Sequence, residues 1–305
     1  MDDLDFSNQS PTPAPQPAAK PAPAKPAVAA PEAASLYDPK LALEFFKLGG
    51  TVEQYAAGKQ IFAENEKTSG FFSKGARMYL LLDGDVALTR GGKPIDLVPA
   101  GEIFGEMAAI AEQPRSATAT ARKNCRVIAL DQQAFSASLQ RMPEFALMLM
   151  SVMAQRLRRC ITRLMQAKKA QVEALEHTQT LDKKMLAELR QALGDPTPSS
   201  AAAGTTVVSK GAVAACMFVV VSGRIAISVD GTVIEYVGPG GIFGELALVE
   251  KSGRSADAKA EADSEWLLIG RKEFLDMVRA RPAFGVALMR SLSARVLHIG
   301  KLLGS

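Results

Sequence analysis

Short apolar runs broken by turn residues fill two stretches of this 305-residue chain, and longer runs with helical spacing follow each of them. Leu41–Leu48 (LALEFFKL) spaces its apolar side chains three and four apart, which predicts an opening helix. From Gln54 to Leu130 the period shortens. Met78–Leu88 (MYLLLDGDVAL) and Arg126–Leu130 (RVIAL) read as strands, and the pattern returns at Met217–Ile227 (MFVVVSGRIAI) and Trp266–Ile269 (WLLI). Gly84 and Gly223 supply the positive φ of a hairpin turn. Trp266, inside a strand, is a core residue.

Each strand-rich stretch leads into helical sequence, Ala134–Leu157 in one case and Glu273–Leu297 in the other. Pro143 and Pro282 divide these into a short and a longer piece, because proline disfavours helix at the residue before it. The first longer piece is expected to run on to Leu193, where Gly194-Asp195-Pro196 stops it. A linker, TPSSAAAGT, then opens the second stretch.

The two stretches are copies of one domain. Phe104–Ala117 (FGEMAAIAEQPRSA) returns as Phe243–Ala256 (FGELALVEKSGRSA), and a fixed offset of 139 carries Gly105 to Gly244, Glu106 to Glu245 and Arg115 to Arg254. The same offset joins Gly84 to Gly223, Phe135 to Phe274, Pro143 to Pro282 and Arg156 to Arg295. The predicted domains are a Pro/Ala-rich disordered tail over 1–39, a first domain over 40–165, a helical connector and linker over 166–204, and a second domain over 205–305.

The repeated cassette predicts a turn and one short helix between two strands. A glycine lets a ligand approach the backbone closely. The helix start at Met107 and Ala108, and at Leu246 and Ala247, offers unpaired N–H groups that favour an anion, phosphate above all. Nine residues after the glutamate, an arginine returns with a planar fork suited to two phosphate oxygens. The glutamate needs a partner other than that anion, and a sugar hydroxyl fits. An internal Glu–Arg bridge closing the turn with no ligand is the competing reading.

Both cassettes resemble the phosphate-binding cassette of cyclic nucleotide-binding domains, the family that includes the bacterial catabolite activator protein and the regulatory subunit of cAMP-dependent protein kinase. The motif FGE-[ML]-A-x8-RSA carries the resemblance, which covers roughly Gln54–Leu164 and Thr205–Leu303. It implies a mainly β fold with flanking helices, two jelly-roll (double-stranded β-helix) barrels joined by a long α-helix, and helices that move when cAMP or cGMP binds. The implied first site is Gly105, Glu106, Met107, Ala108, Arg115 and Ser116; the second is Gly244, Glu245, Leu246, Ala247, Arg254 and Ser255. By the same resemblance the glutamates hold a ribose 2′-hydroxyl. The arginines hold the cyclic phosphate, with backbone donors at Ala108, Ser116, Ala247 and Ser255.

The departures are specific. Alignment to the activator's base-contacting helix puts Cys160 and Ile161 at the adenine position of the first copy, and Ile299 and Gly300 in the second, in place of a Thr-Ser pair. Gly253 replaces Pro114, which is expected to loosen the second turn. The first copy carries extra residues around ENEKTSGFF. Only Gly300–Ser305 follows the second helix, so no DNA-binding domain is expected there, and residues 1–50 contain no arginine, so no pseudosubstrate is expected.

Charge and composition refine the picture only in places. The formal net charge of +4 does not argue for nucleic acid. It is concentrated between Ala154 and Leu193, where nine Lys or Arg stand against four Asp or Glu. Cys125, Cys160 and Cys216 lack metal-ligand spacing and suit a reducing, cytoplasmic setting. His177 and His298 have no ligand-patterned neighbours, so no metal is expected. The start MDDLDFSNQS lacks the basic and apolar regions of a secretory signal, and no run reaches the length of a membrane span. No nucleophile–base constellation suggests catalysis, and no cofactor beyond the cyclic nucleotide is expected.

The expected function is therefore a non-catalytic receptor with two cyclic nucleotide sites per chain, cAMP ahead of cGMP, acting through an unknown protein partner. A nucleic-acid binder using the basic helix and a structural dimer without ligand are the alternatives. The stripe Leu157, Ile161, Leu164, Val172, Leu175, Leu181, Met185, Leu189 and Leu193 either packs on the chain's own barrels or forms a homodimer seam, and the flanking basic residues favour the seam.

Overall fold

The structure is a computed structural model that describes residues 37–67, 76–111, 113–167, 173–176, 180–213, 215–248 and 253–304. The tail expected over 1–39 falls, save for 37–39, outside the described residues, as do most of the inserted ENEKTSGFF segment and the basic pair Lys168-Lys169.

Alternation of buried and exposed positions builds two barrels of eight strands each. In the first, β1 (Thr51–Tyr55), β8 (Cys125–Leu130), β3 (Met78–Asp83) and β6 (Ile103–Phe104) form one sheet in that order. The other sheet runs β2 (Gln60–Phe62), β7 (Thr118–Ala121), β4 (Asp85–Arg90), β5 (Lys93–Pro99). The second barrel repeats both orders. Its first sheet is β14 (Ile242–Phe243), β11 (Cys216–Ser222), β16 (Ser264–Gly270), β9 (Ser199–Ala201). Its second is β10 (Thr206–Val208), β15 (Asp257–Ala260), β12 (Ile225–Val229), β13 (Thr232–Val237). Every pairing between these strands is antiparallel, and the register obeys the sequence offset: Tyr79 faces Phe104 as Phe218 faces Phe243. Both pairs stack, with ring centroids 5.1 Å and 4.5 Å apart. Trp266 is buried in the core of the second barrel, as its strand position predicted.

The helices follow the proline signals. In the first copy α3 (Gln132–Arg141) stops before Pro143, and α4 (Glu144–Gln166) starts after it. In the second, α6 (Arg271–Ala280) precedes α7 (Pro282–Gly304). The opening helix α1 (Pro39–Lys47) is capped by the Asp38 carboxylate. It brings Phe45 flat onto Phe145 of α4, centroids 3.6 Å apart.

One expectation needs correction. The long helix does not continue to Leu193: α4 ends at Gln166, and a separate helix, α5 (Lys183–Ala192), begins at an Asp182 cap. Only the α4 part of the expected stripe lies on one helix. The apolar stripe of α4 has a partner within the chain. The apolar face of α4 packs along α7 of the same chain, with Leu157, Leu164, Leu288 and Leu292 buried in one shared cluster. Copies related by sequence already present each other with matching apolar helix faces, so the chain supplies its own seam. None of the described helices is long and apolar enough to cross a membrane.

Candidate functional site

The first cassette forms as expected. Phe104 ends β6, Gly105 turns the chain at φ 74°, and α2 (Glu106–Ala111) follows at once. The second uses the same turn at Gly244, φ 71°, but its helix is a single 3-10 turn over Glu245–Leu248. Both glycines are doubly constrained. Besides the positive φ, a Cβ at 105 would stand 3.0 Å from Nη1 of Arg115, and one at 244 only 2.4 Å from Nη1 of Arg254.

The arginines lie where the spacing put them, folded back over the turn. Arg115 is buried and donates from Nη1 to the Gly105 carbonyl at 2.8 Å and from Nη2 to the Arg77 carbonyl at 2.8 Å. Its guanidinium sits 4.2 Å above the Phe62 ring. Arg254 donates from Nη1 to the Gly244 carbonyl at 2.9 Å, and its Nη2 lies 3.9 Å from the Cys216 sulfur. Among the described residues no carboxylate forms an ion pair with Arg115 or Arg254, and Nε of Arg115 is buried without a partner. Burial holds the Arg115 guanidinium below its usual pKa, the reverse of what a salt bridge would do.

The internal Glu–Arg bridge considered from sequence is thus absent from both cassettes. The glutamates pair elsewhere. Glu106, buried, bonds to Nη1 of Arg156 on α4. Glu245, buried, accepts from Nη1 of Arg295 on α7 at 2.7 Å. Arg295 also bonds Glu235 of β13 through Nε at 2.9 Å and donates from Nη2 to the Ile242 carbonyl at 2.5 Å. Burial pulls this guanidinium's pKa down, but Glu235 and Glu245 together raise it above the ordinary value. Burial also holds the Glu235 carboxyl above the usual range, against the pull of Arg295.

Arg156, Arg295 and Glu235 were missed as site residues. The signal was available, since Arg156 and Arg295 share the 139 offset, and Glu235 corresponds to Asp96 of β5. The two networks differ in depth. The Arg295 side chain is 9% exposed and the Arg156 side chain 41%, because Asp96 is exposed and makes no bond to Arg156.

The other expected positions divide by role. Ala108 is buried, and Met107 packs toward the helices, with its sulfur 4.0 Å from the Ser293 hydroxyl of α7. The Ser116 carbonyl accepts from Nε of Arg90 at 2.9 Å. Leu246, Arg254 and Ser255 line a cavity of about 790 Å³, counting its open mouth. The side chain of Ala247 lies outside the described set. At Gly253 a Cβ would stand 2.5 Å from the Gly211 carbonyl, and Arg254 N–H donates to the Ala212 carbonyl at 2.9 Å, while the rest of that turn, 249–252, lies outside the described residues. Close backbone approach requires this glycine.

The cavity wall comes from both copies. Glu245 and Arg295 of the second domain meet Leu157 and Ile161 of α4, together with Leu175 of the connector. Ile161, aligned from sequence with the base position of the first site, therefore lines the second. Ile299 lines it as expected. The reciprocal contact exists too, because Arg290 of α7 donates to the Ile110 carbonyl in the first cassette at 3.3 Å. Among the described residues no cluster of His, Cys, Asp or Glu could hold a metal ion.

Two jelly-roll barrels with matching Gly–Glu–Arg cassettes define a class of protein. The model of the cyclic nucleotide-binding domain matches residues 52–142 and 198–281. The chain belongs to the cyclic nucleotide-binding domain family, in tandem form. It is similar to the cyclic AMP receptor protein of Thermus thermophilus, 34% identical over 123 residues, which is 39% of this chain and 52% of that protein. It is also similar to a CRP-like cAMP-activated global transcriptional regulator of Mycobacterium tuberculosis, 27% identical over 110 residues, 34% of this chain and 46% of that one. The chain thus spans about half the length of the curated relatives it matches. Among solved structures, a cAMP-bound PfPKA-R fragment aligns over 83% of this chain and 81% of its own, at 22% identity and a TM-score of 0.34.

Proposed function

We propose that the chain is a receptor for 3′,5′-cyclic mononucleotides, cAMP ahead of cGMP, with one site in each cassette and no catalysis of its own, signalling through protein contacts. The observation that carries this reading is the pair of cassette arginines. Each is held over a glycine turn on neutral partners, with no carboxylate bridge among the described residues. Arg115 is buried and Arg254 half-buried; a cation withdrawn from water without a counter-charge is costly, most of all at Arg115, and an anionic ligand removes that cost by supplying the missing charge.

The surrounding chemistry fits a ribose phosphate. The cyclic phosphate would take the Arg115 or Arg254 guanidinium in place of the carbonyls it now holds. The 2′-hydroxyl would donate to Glu106 or Glu245, which Arg156 and Arg295 hold in place. The cavity beside the second cassette is lined by Glu245, Arg254 and Arg295, so polar groups for phosphate and sugar converge on it from an otherwise apolar wall. The base would then meet the apolar side chains of α4 in the second site.

Isothermal titration of the purified chain with cAMP and with cGMP tests the proposal. Two nucleotides per chain are expected, and the absence of heat with either nucleotide would refute it. A stoichiometry of one would leave a single working cassette.

A further inference from the structure

The edge of the second barrel shows how such an edge is covered in this chain. Strand β13 is the last strand of its sheet, and a piece of the connector lies along it. Leu175 N–H donates to the Ile234 carbonyl and Tyr236 N–H donates to the Leu175 carbonyl, both at 3.0 Å, in a parallel bridge opposite Glu235. The next residue, Glu176, pairs with Arg224 at 3.1 Å, and Arg224 lies 4.1 Å above the Tyr236 ring. Under this cover Ile234 is 7% exposed.

The matching edge of the first barrel is bare among the described residues. Strand β5 is the last of its sheet, and the offset carries Ile234 to Ile95 and Tyr236 to Leu97. Both hairpins have the same register irregularity, so Ile95 and Leu97 present their backbone as Ile234 and Tyr236 do. Ile95 is 47% exposed and Leu97 45%, which makes them two of the few exposed large apolar residues described. The Leu97 N–H is turned onto the carboxylate of its own neighbour Asp96, at 2.8 Å. Among the described residues no other segment bonds this edge.

A cation stands at the same end of both edges. Arg224 corresponds to Asp85, which holds the 73%-exposed Lys123 ammonium at 3.1 Å, with exposed Arg122 beside it in sequence. An unpaired strand edge with apolar side chains is a template for an added strand, and backbone bonds with one or two side-chain contacts supply the recognition.

We propose that the β5 edge of the first barrel is a docking strand for an extended acidic segment of a partner protein, carrying a leucine followed directly by a carboxylate. The leucine covers Ile95 and Leu97 as Leu175 covers Ile234. The carboxylate meets Lys123 as Glu176 meets Arg224. The chain's own connector is the template for the occupant. The inference does not depend on nucleotide binding.

The probe is a synthetic peptide of the connector sequence QVEALEHT, titrated to millimolar concentration into the isotope-labelled full chain and followed by amide chemical shifts. Saturable shifts centred on residues 94–98 and 123 are expected. The peptide with Leu175→Asp should bind at least tenfold more weakly, and Lys123→Glu in the protein should weaken the parent peptide several-fold. Leu97→Pro, which removes the edge N–H, should abolish the shifts while the remaining spectrum confirms the fold. Shifts confined to another surface, no shifts at all, or equal binding of the Asp peptide would overturn the proposal.

Discussion

Arg156 and Leu157 are neighbours on α4 but belong to different sites. Arg156 bonds Glu106 in the first cassette, and Leu157 lines the cavity of the second. One helical residue is a rotation of about 100°, enough to send successive side chains to opposite barrels.

That arrangement makes residues of the first domain determinants of the second site. Ile161→Asp should lower nucleotide affinity at the second site by roughly tenfold or more, since it places a carboxylate on an apolar wall. The first site should change less. Titration calorimetry on Arg115→Ala and Arg254→Ala backgrounds separates the two sites. Second-site affinity unchanged by the substitution would remove α4 from that wall.

The cassette arginines should dominate affinity. Truncating one partner of a hydrogen-bonded buried charge pair costs about 2–5 kcal/mol, roughly 30- to several-thousand-fold in affinity. Arg115→Ala should therefore abolish micromolar binding at the first site and leave the second largely intact. Equal weakening of both sites would contradict separate cassettes, and an unchanged binding curve would contradict a phosphate role for Arg115.

Stability should respond unequally to the two helix arginines. Arg295 is buried between two carboxylates, and Arg295→Met leaves both without their cation, a loss of about 3–5 kcal/mol. The half-exposed Arg156 is screened by solvent, so Arg156→Met should cost about 1 kcal/mol or less. Urea unfolding of the nucleotide-free chain compares them. Similar midpoints would show that the second network is no more buried than the first.

Glu235 should leave a mark on the pH profile of the folded chain. Its folded carboxyl is raised above the ordinary value, so the native state holds that proton more tightly than the unfolded chain. Its contribution to stability is present below the unfolded pKa and is lost as pH rises through the raised folded pKa. Glu235→Gln should flatten that fall. Melting temperatures across the acidic range, compared between wild type and variant, test the sign. A variant profile parallel to the wild type would place the titration elsewhere.

The repeat, the two barrels, the helix breaks at Pro143 and Pro282 and the cassette positions were all legible in the sequence, because each depends on local spacing or on a copy displaced by 139 residues. Period-two apolar runs define strands wherever they lie, and proline stops a helix without reference to its neighbours. The partner of each glutamate was not legible. Arg156 lies 50 residues from Glu106, and Arg295 lies 50 from Glu245, so only folding brings them together. The end of α4 at Gln166 was likewise hidden, since apolar and basic residues of good helix propensity continue past it. Nor could spacing alone choose between two copies of the chain and two halves of one chain as the seam for α4. An apolar stripe specifies that it must be covered, and tertiary structure decides by what: here α7, the covalently linked copy, which lies along α4 in the same chain.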